Sequence, residues 1–188
     1  MSLQIRRKKD KRAVKCILHR VADIPGGVTV SVANLGGSAL LEGTPIGVGS
    51  DGMYNVCKTA QVVTLANSAS TKYEVAKGHH FKVGDYFATD ACNGKQITTI
   101  DKSDPAKDVI TLNATLGAEV KVGTCAFESK GGDKVLKVTP IAVVGSNEDV
   151  EPGNNLFVDA WCIGVVNKKS CQIVNAAIQS ALKSIVYV

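Results

Sequence analysis

Aromatic side chains are scarce in this chain, at 5% of 188 residues, with Trp161 the single tryptophan. That shortage counts against a glycan-binding platform and against a base-stacking nucleic-acid groove, since both rely on aromatic faces. The core must be built from Val, Ile, Leu and Ala within an apolar content of 45%. No apolar run approaches the roughly 20 residues that a membrane-spanning helix needs, so no membrane association is expected. Residues 1–12 are charged, which is not the pattern of a signal peptide. Cysteines are six, Cys16, Cys57, Cys92, Cys125, Cys162 and Cys171, but none has another within five residues. Structural zinc sites use closely spaced pairs, so the expectation is free, mostly buried thiols made in a reducing cytoplasm.

Catalytic signatures are also missing. The only histidines are His19, His79 and His80, and neither Gly-x-Ser-x-Gly nor His-Glu-x-x-His occurs. In a strand, His79 and His80 would point to opposite faces and could not readily share one metal. Glu148, Asp149 and Glu151 form an acidic stretch, but Pro152-Gly153 replaces the spacing of a calcium loop. Its expected role is a solvated loop or a charged contact. The Gly43–Gly52 stretch lacks the Lys-Ser/Thr of a phosphate-binding loop and lies between strands. Trp161, in an apolar run, is expected in the core or at an interface. The reading is of no enzyme: no catalytic, cofactor-binding or metal-binding residue is expected.

What is present is the composition of short strands and tight turns, with 18 glycines and many Val and Thr. Val28–Val32 alternates apolar and polar residues, the mark of a half-buried strand. Pro45–Gly49 and Met53–Lys58 flank the turn Ser50-Asp51-Gly52. Gln61–Leu65 and Lys72–Val75 are further expected strands. Val83-Gly84-Asp85 is a turn that launches another. Gln96–Asp101 and Asp108–Leu112 form a hairpin. Residues 119–128 alternate again, a last block starts with 134–144, and Leu156–Val166 is expected as one buried strand. Apolar residues from Cys171 to Ile185 recur at helical spacing, so a helix over 171–183, capped by Ser170, should precede a strand at Ile185–Val188. The fold expected is mainly β, with small antiparallel β-barrel or sandwich domains and a short C-terminal helix. The expected organisation is a basic arm over 1–22, a β-rich body from 23–66 and 133–188, and a small antiparallel barrel-like domain over 67–130.

Charge is distributed unevenly. Arg6, Arg7, Lys8, Lys9, Lys11, Arg12 and Lys15 face Asp10 alone, so residues 1–15 carry +6 of a total of +5, and the rest sums to −1. These seven basic residues are the candidate partner-binding set. Such a cluster stays solvated unless a partner neutralises it. It can anchor the chain across an acidic protein surface, act as a solubilising tail, or neutralise nucleic-acid phosphates with strong salt dependence.

The stretches Leu41–Val48 and Asp51–Ala60, then Phe81–Asp85, the hairpin ending at Ile110-Thr111-Leu112, and the ending Ile178–Val188 cover about two-thirds of the chain. They resemble head-fibre and related capsid proteins of tailed phages infecting Bacteroides-type bacteria. The basic arm has no counterpart in that resemblance. It implies a structural protein on the virion's capsid surface, assembled in the host bacterial cytoplasm and attached to the major capsid protein or other virion proteins. It implies a homo-oligomer, a trimer being suited to capsid symmetry axes. It implies no catalytic residues and no cofactor. The alternative is a nucleic-acid-binding β-barrel protein that uses the arm.

Overall fold

A computed structural model describes residues 15–49 and 52–188. Strands dominate. In chain order they are β1 (Ile17–Asp23), β2 (Val28–Val30), β3 (Ala39–Leu40), β4 (Pro45–Val48), β5 (Tyr54–Val56), β6 (Thr59–Gln61), β7 (Lys72–Ala76) and β8 (Tyr86–Thr89). Then follow β9 (Lys95–Asp101), β10 (Lys107–Leu112), β11 (Cys125–Ser129), β12 (Ala142–Val144), β13 (Glu148–Asp149), β14 (Leu156–Val158) and β15 (Ala160–Val166). A short helix α1 (Ala176–Ala181) and strand β16 (Ile185–Tyr187) close the chain. The fold is therefore mainly β with one short C-terminal helix, as the composition implied.

The larger sheet runs β1-β15-β12-β4-β5-β2-β14, with β16 added parallel to β15. Its alternating inward residues feed two apolar clusters. One gathers Val28, Val30, Leu40, Ile46, Val56 and Ala142. The other gathers Ile17, Val143, Val166, Ile178, Leu182 and Ile185, so the helix packs against the β1–β15–β16 corner. The chain enters this sheet at Ile17, so the end of the stretch assigned to the arm is an edge strand paired to β15.

The second sheet runs β6-β11-β8-β9-β10-β7 and encloses its own core of Tyr73, Val75, Phe81, Phe87, Ile97, Ile110 and Ala126. Tyr73, Phe81 and Phe87 stack in a row with ring centroids 5.5 Å apart. The few aromatics are thus concentrated here, where their area is worth most. The sheet curls until its end strands touch, through a bridge between Val62 and Val75. Gly84, at φ +95°, permits the turn before β8, and the Asp85 carboxylate accepts the Lys82 amide at 2.8 Å across it.

Four elements differ from the sequence pattern. Gln61–Leu65 is not a strand: the strand is Thr59–Gln61, and beyond it Val62 makes only an isolated bridge. The run 156–166 is two strands, because the chain breaks at Asp159; β14 pairs with β2 while β15 pairs with β12 and β1. Of residues 119–128, only the end becomes β11, since Gly123 turns the chain at φ +85°. The helix begins after Asn175, not Ser170: Asn175 is extended and its side chain accepts the Ile178 amide. Residues before it are spent elsewhere. The Thr59 hydroxyl donates to the Ile173 carbonyl at 2.7 Å, and the Gln172 amide donates to the Thr59 carbonyl at 3.0 Å. Residues 171–174 form a strap laid along β6, which satisfies their polar groups without a helical turn.

Candidate functional site

Arg6, Arg7, Lys8, Lys9, Lys11 and Arg12 lie outside the described residues; Lys15 lies inside them and is exposed. The arm's root is anchored by charge. The amide of buried Cys16 donates to the Glu42 carboxylate at 3.0 Å. Arg20 reaches the same carboxylate at 2.9 Å, donates to the Gly145 carbonyl at 2.8 Å, and lies 5.3 Å from the centre of the Trp161 ring. Glu42 is buried, so this pairing offsets its desolvation, and the guanidinium covers the indole face. Trp161 is thus a partly covered member of the helix-side core, under a cation.

From this root an apolar corner spreads over β1, β15 and β16. Leu18 and Val21 are more than half exposed, as are Val186 and Val188, and Ile163 is 41% exposed. Among the described residues β1 has a neighbour, β15, on one side only. A strand edge with apolar side chains beside it is an adhesive feature unless a partner covers it.

The interior holds ionic groups that the sequence pattern did not single out. Lys58, from the link between β5 and β6, is 2% exposed at its side chain and lies 2.6 Å from the Asp85 carboxylate and 3.4 Å from Glu128. Lys137 pairs with the other oxygen of Glu128. Burial pushes the Glu128 carboxyl up, against the downward pull of Lys58 and Lys137. Lys58 lies in the link from β5 to β6 and Lys137 in the link from β11 to β12, so these pairs tie both chain crossings between the sheets to the second sheet, at Asp85 before β8 and Glu128 in β11. A cavity of about 320 Å³ opens beside them, lined by Asn34, Asn55, Lys58, Glu128 and Lys137 among others.

The adjacent histidines part company. His79 accepts the Phe81 amide at Nδ1, 3.2 Å away, so its neutral form carries the proton on Nε2. Nε2 faces Asp108 at 3.1 Å, too poorly aligned to count as a hydrogen bond. Lys77 also binds Asp108. The Nδ1 lone pair is engaged by the Phe81 amide, so it takes no other proton while that hydrogen bond stands. His80 sits under the Gly36-Gly37 turn, whose first amide donates to the His80 carbonyl at 3.0 Å. Burial pulls both imidazoles down to about 4.

The second cavity, about 460 Å³, lies where the curled sheet fails to close. Val62 bridges Val75, and the Val63 amide donates to the Glu74 carbonyl at 2.9 Å. Continued, that register would set Gln61 against Ala76 and Ala60 against Lys77. β7 ends at Ala76, so the ladder stops there. The strands splay into a groove, with the strap 171–174 on one wall and Lys168 and Lys169 at its rim.

Among the described residues no group of three His, Cys, Asp or Glu is placed to hold a metal, and no helix is long and apolar enough to cross a membrane. Cys57, Cys92, Cys125 and Cys162 are free thiols. Burial pushes the Cys125 thiol up to about 12 and Cys57 higher still, which leaves both as inert apolar side chains. Glu148 and Asp149 of the acidic stretch form β13, paired to β3.

Lys58, Asp108 and Glu128 were missed because a charged residue at an expected strand position reads as solvent-facing, and Asp85 was read only as a turn residue. The available signal was local: Glu128 lies in Cys125–Ser129, where every residue is buried. Comparison with protein families, with curated proteins and with solved structures finds no match to this chain.

Proposed function

We propose that this chain is a structural protein of a tailed-phage virion, a head-fibre or decoration protein held on the capsid surface through its basic N-terminal arm. The observation that carries the reading is the division of charge and apolar surface. Acids buried in the second sheet and its links are consumed by neighbouring bases. Outside, the +6 arm sequence leads into Lys15 and an edge strand bordered by exposed Leu18, Val21, Val186 and Val188. A rigid body with an adhesive corner and a cationic leader suits a building block: long-range attraction steers the arm, and the apolar corner supplies desolvated contact.

The partner in this reading is the major capsid protein or another virion protein, and the body assembles as a homo-oligomer, a trimer matching a capsid symmetry axis. The arm acts by charge, so docking weakens as salt rises. The test is quantitative mass spectrometry of particles purified from the source that encodes the chain. The expected result is a fixed copy number per capsid subunit, lost when Arg6, Arg7, Lys8, Lys9, Lys11 and Arg12 are replaced by Gln. A chain found only in the soluble fraction, or retained equally by the Gln variant, contradicts it.

A further inference from the structure

We propose that Lys58 and Asp85 become joined by an amide bond, which the folded chain makes between their side chains with Glu128 as the proton relay. The inference concerns the body alone and stands apart from what the chain docks on.

The three side chains are arranged as a reacting group. The Lys58 nitrogen lies 2.6 Å from Asp85 Oδ2, so the carboxyl carbon, one bond further, is near the roughly 3–3.5 Å of a reacting pair. Backbone hydrogen bonds hold the partners in place. The Glu128 amide donates to the Lys58 carbonyl at 3.0 Å, and the Ile97 amide donates to the Asp85 carbonyl at 2.8 Å. The side chains of Lys58 and Glu128 are 2% and 3% exposed, so little water competes for either. Glu128 Oε2 is 3.4 Å from the same nitrogen. Burial first, and the Asp85 carboxylate after it, push the Glu128 carboxyl up against the pull of Lys58 and Lys137. It therefore gives and takes a proton nearer neutrality than an exposed acid does. The Lys82 amide, 2.8 Å from Asp85 Oδ2, is a placed donor for charge that develops on that oxygen.

The step is a condensation: an ammonium and a carboxylate enter, an amide and water leave. The nitrogen attacks the Asp85 carboxyl carbon and the C–N bond forms. Two of its three protons pass by way of Glu128 to Oδ1. The C–Oδ1 bond breaks, and that oxygen departs as water. The amide keeps the third proton, and Glu128 ends in the state in which it began. Nothing is oxidised or reduced, and no co-reactant is needed. The cavity of about 320 Å³ lined by Lys58, Glu128 and Lys137 gives the water a way out. Holding both groups in one place supplies the effective concentration that free amines and acids lack. Chains that have not reacted are held by the ion pair alone. Once made, the bond ties the entry to β6 to the turn before β8 and restricts the unfolded chain as a disulfide does. Lys107 and Glu74 are an internal contrast: they lie 2.7 Å apart, but both are about one-third exposed, and they stay an ordinary ion pair.

The test is intact-mass spectrometry of the full chain, incubated folded at pH 7 and then denatured, with tandem spectrometry of its digest. The expected mass is one water below that of the sequence. The digest should hold a branched peptide joining Lys58 to Asp85, no tryptic cut after Lys58, and no link between Lys107 and Glu74. Lys58→Met keeps its full sequence mass. Glu128→Gln, folded by circular dichroism, loses water at least tenfold more slowly than the wild type. Asp85→Asn keeps the carbonyl and sheds ammonia in place of water. A folded wild-type chain that stays at full mass through days of incubation overturns the proposal, whatever the variants do. A water loss located at Asp51-Gly52 as a cyclic imide, or a branch through Glu128, overturns it as well. Glu128→Gln reacting at the wild-type rate removes the relay and overturns the mechanism.

Discussion

Replacing Lys58 by Met tests whether the buried ion pairs hold the link from β5 to β6 against the second sheet. Met keeps the length of the stem and removes only the ammonium, which is 2% exposed and lies 2.6 Å from Asp85 and 3.4 Å from Glu128. Removing one member of a buried ion pair leaves an uncompensated buried charge and costs about 3–5 kcal/mol. Here two carboxylates lose their shared cation, but Asp85 keeps the Lys82 amide and Glu128 keeps Lys137. The loss should therefore fall near 3 kcal/mol, the lower end of that range. For a chain of this size that corresponds to a fall in Tm of roughly 6–12 °C. Urea unfolding with linear extrapolation at pH 7 measures it. The deficit should shrink as pH falls, because Glu128, already pushed up by burial, takes a proton more readily once one of its two cations is gone. Lys58→Met combined with Glu128→Gln should lose less than the single variant. A loss below about 1 kcal/mol, the level of an exposed pair, would refute the reasoning.

Three further outcomes follow from the packing. His79 and His80 are pulled down to about 4 by burial, so their contribution to stability is complete above the unfolded value of about 6.5 and is lost as pH falls through 4. Each contributes up to roughly 3 kcal/mol at neutral pH; unfolding free energy followed from pH 7 to 4 should decline steeply, and less steeply in His80→Leu. Gly47→Ala would set a Cβ 2.1 Å from the Thr139 carbonyl oxygen, and overpacking of that kind costs about 1–3 kcal/mol. Gly132→Ala, with open space around it, should be neutral in the same melt. Asn175→Ala removes the cap on the Ile178 amide and the 2.7 Å bond to Asp90, for a loss of about 1–2 kcal/mol measured by chemical denaturation.

The fold class could be read from the sequence because its signals are local. Alternation at Val28–Val30 and along Lys107–Leu112, and the hairpin joining β9 to β10, need no knowledge of distant partners. What escaped depends on tertiary contacts. The 171–175 stretch has helical spacing, yet Thr59, distant in sequence, holds Ile173 and Gln172 in an extended strap. The break at Asp159 is invisible to hydropathy, since both halves of 156–166 are apolar and only their neighbours differ. Buried Lys58 and Glu128 could not be paired by inspection, because their separation in the chain gives no clue to their meeting. The seam was legible in no single segment; it exists because β6 and β7 diverge after Val62 meets Val75. The basic cluster is a property of composition, and of its seven residues only Lys15 lies among the described ones.

The most direct test of the account is amine footprinting of the intact particle. Lys8, Lys9, Lys11 and Lys15 are acetylated in the purified chain and in the assembled virion, and their labelling is compared with that of Lys95 and Lys121 in the same digests. The account predicts that the four arm lysines lose most of their reactivity on assembly and regain it as the particle is washed in high salt, while Lys95 and Lys121 hold steady. Equal labelling of the arm in both states contradicts the claim that a cationic leader docks this β-body to a larger structure.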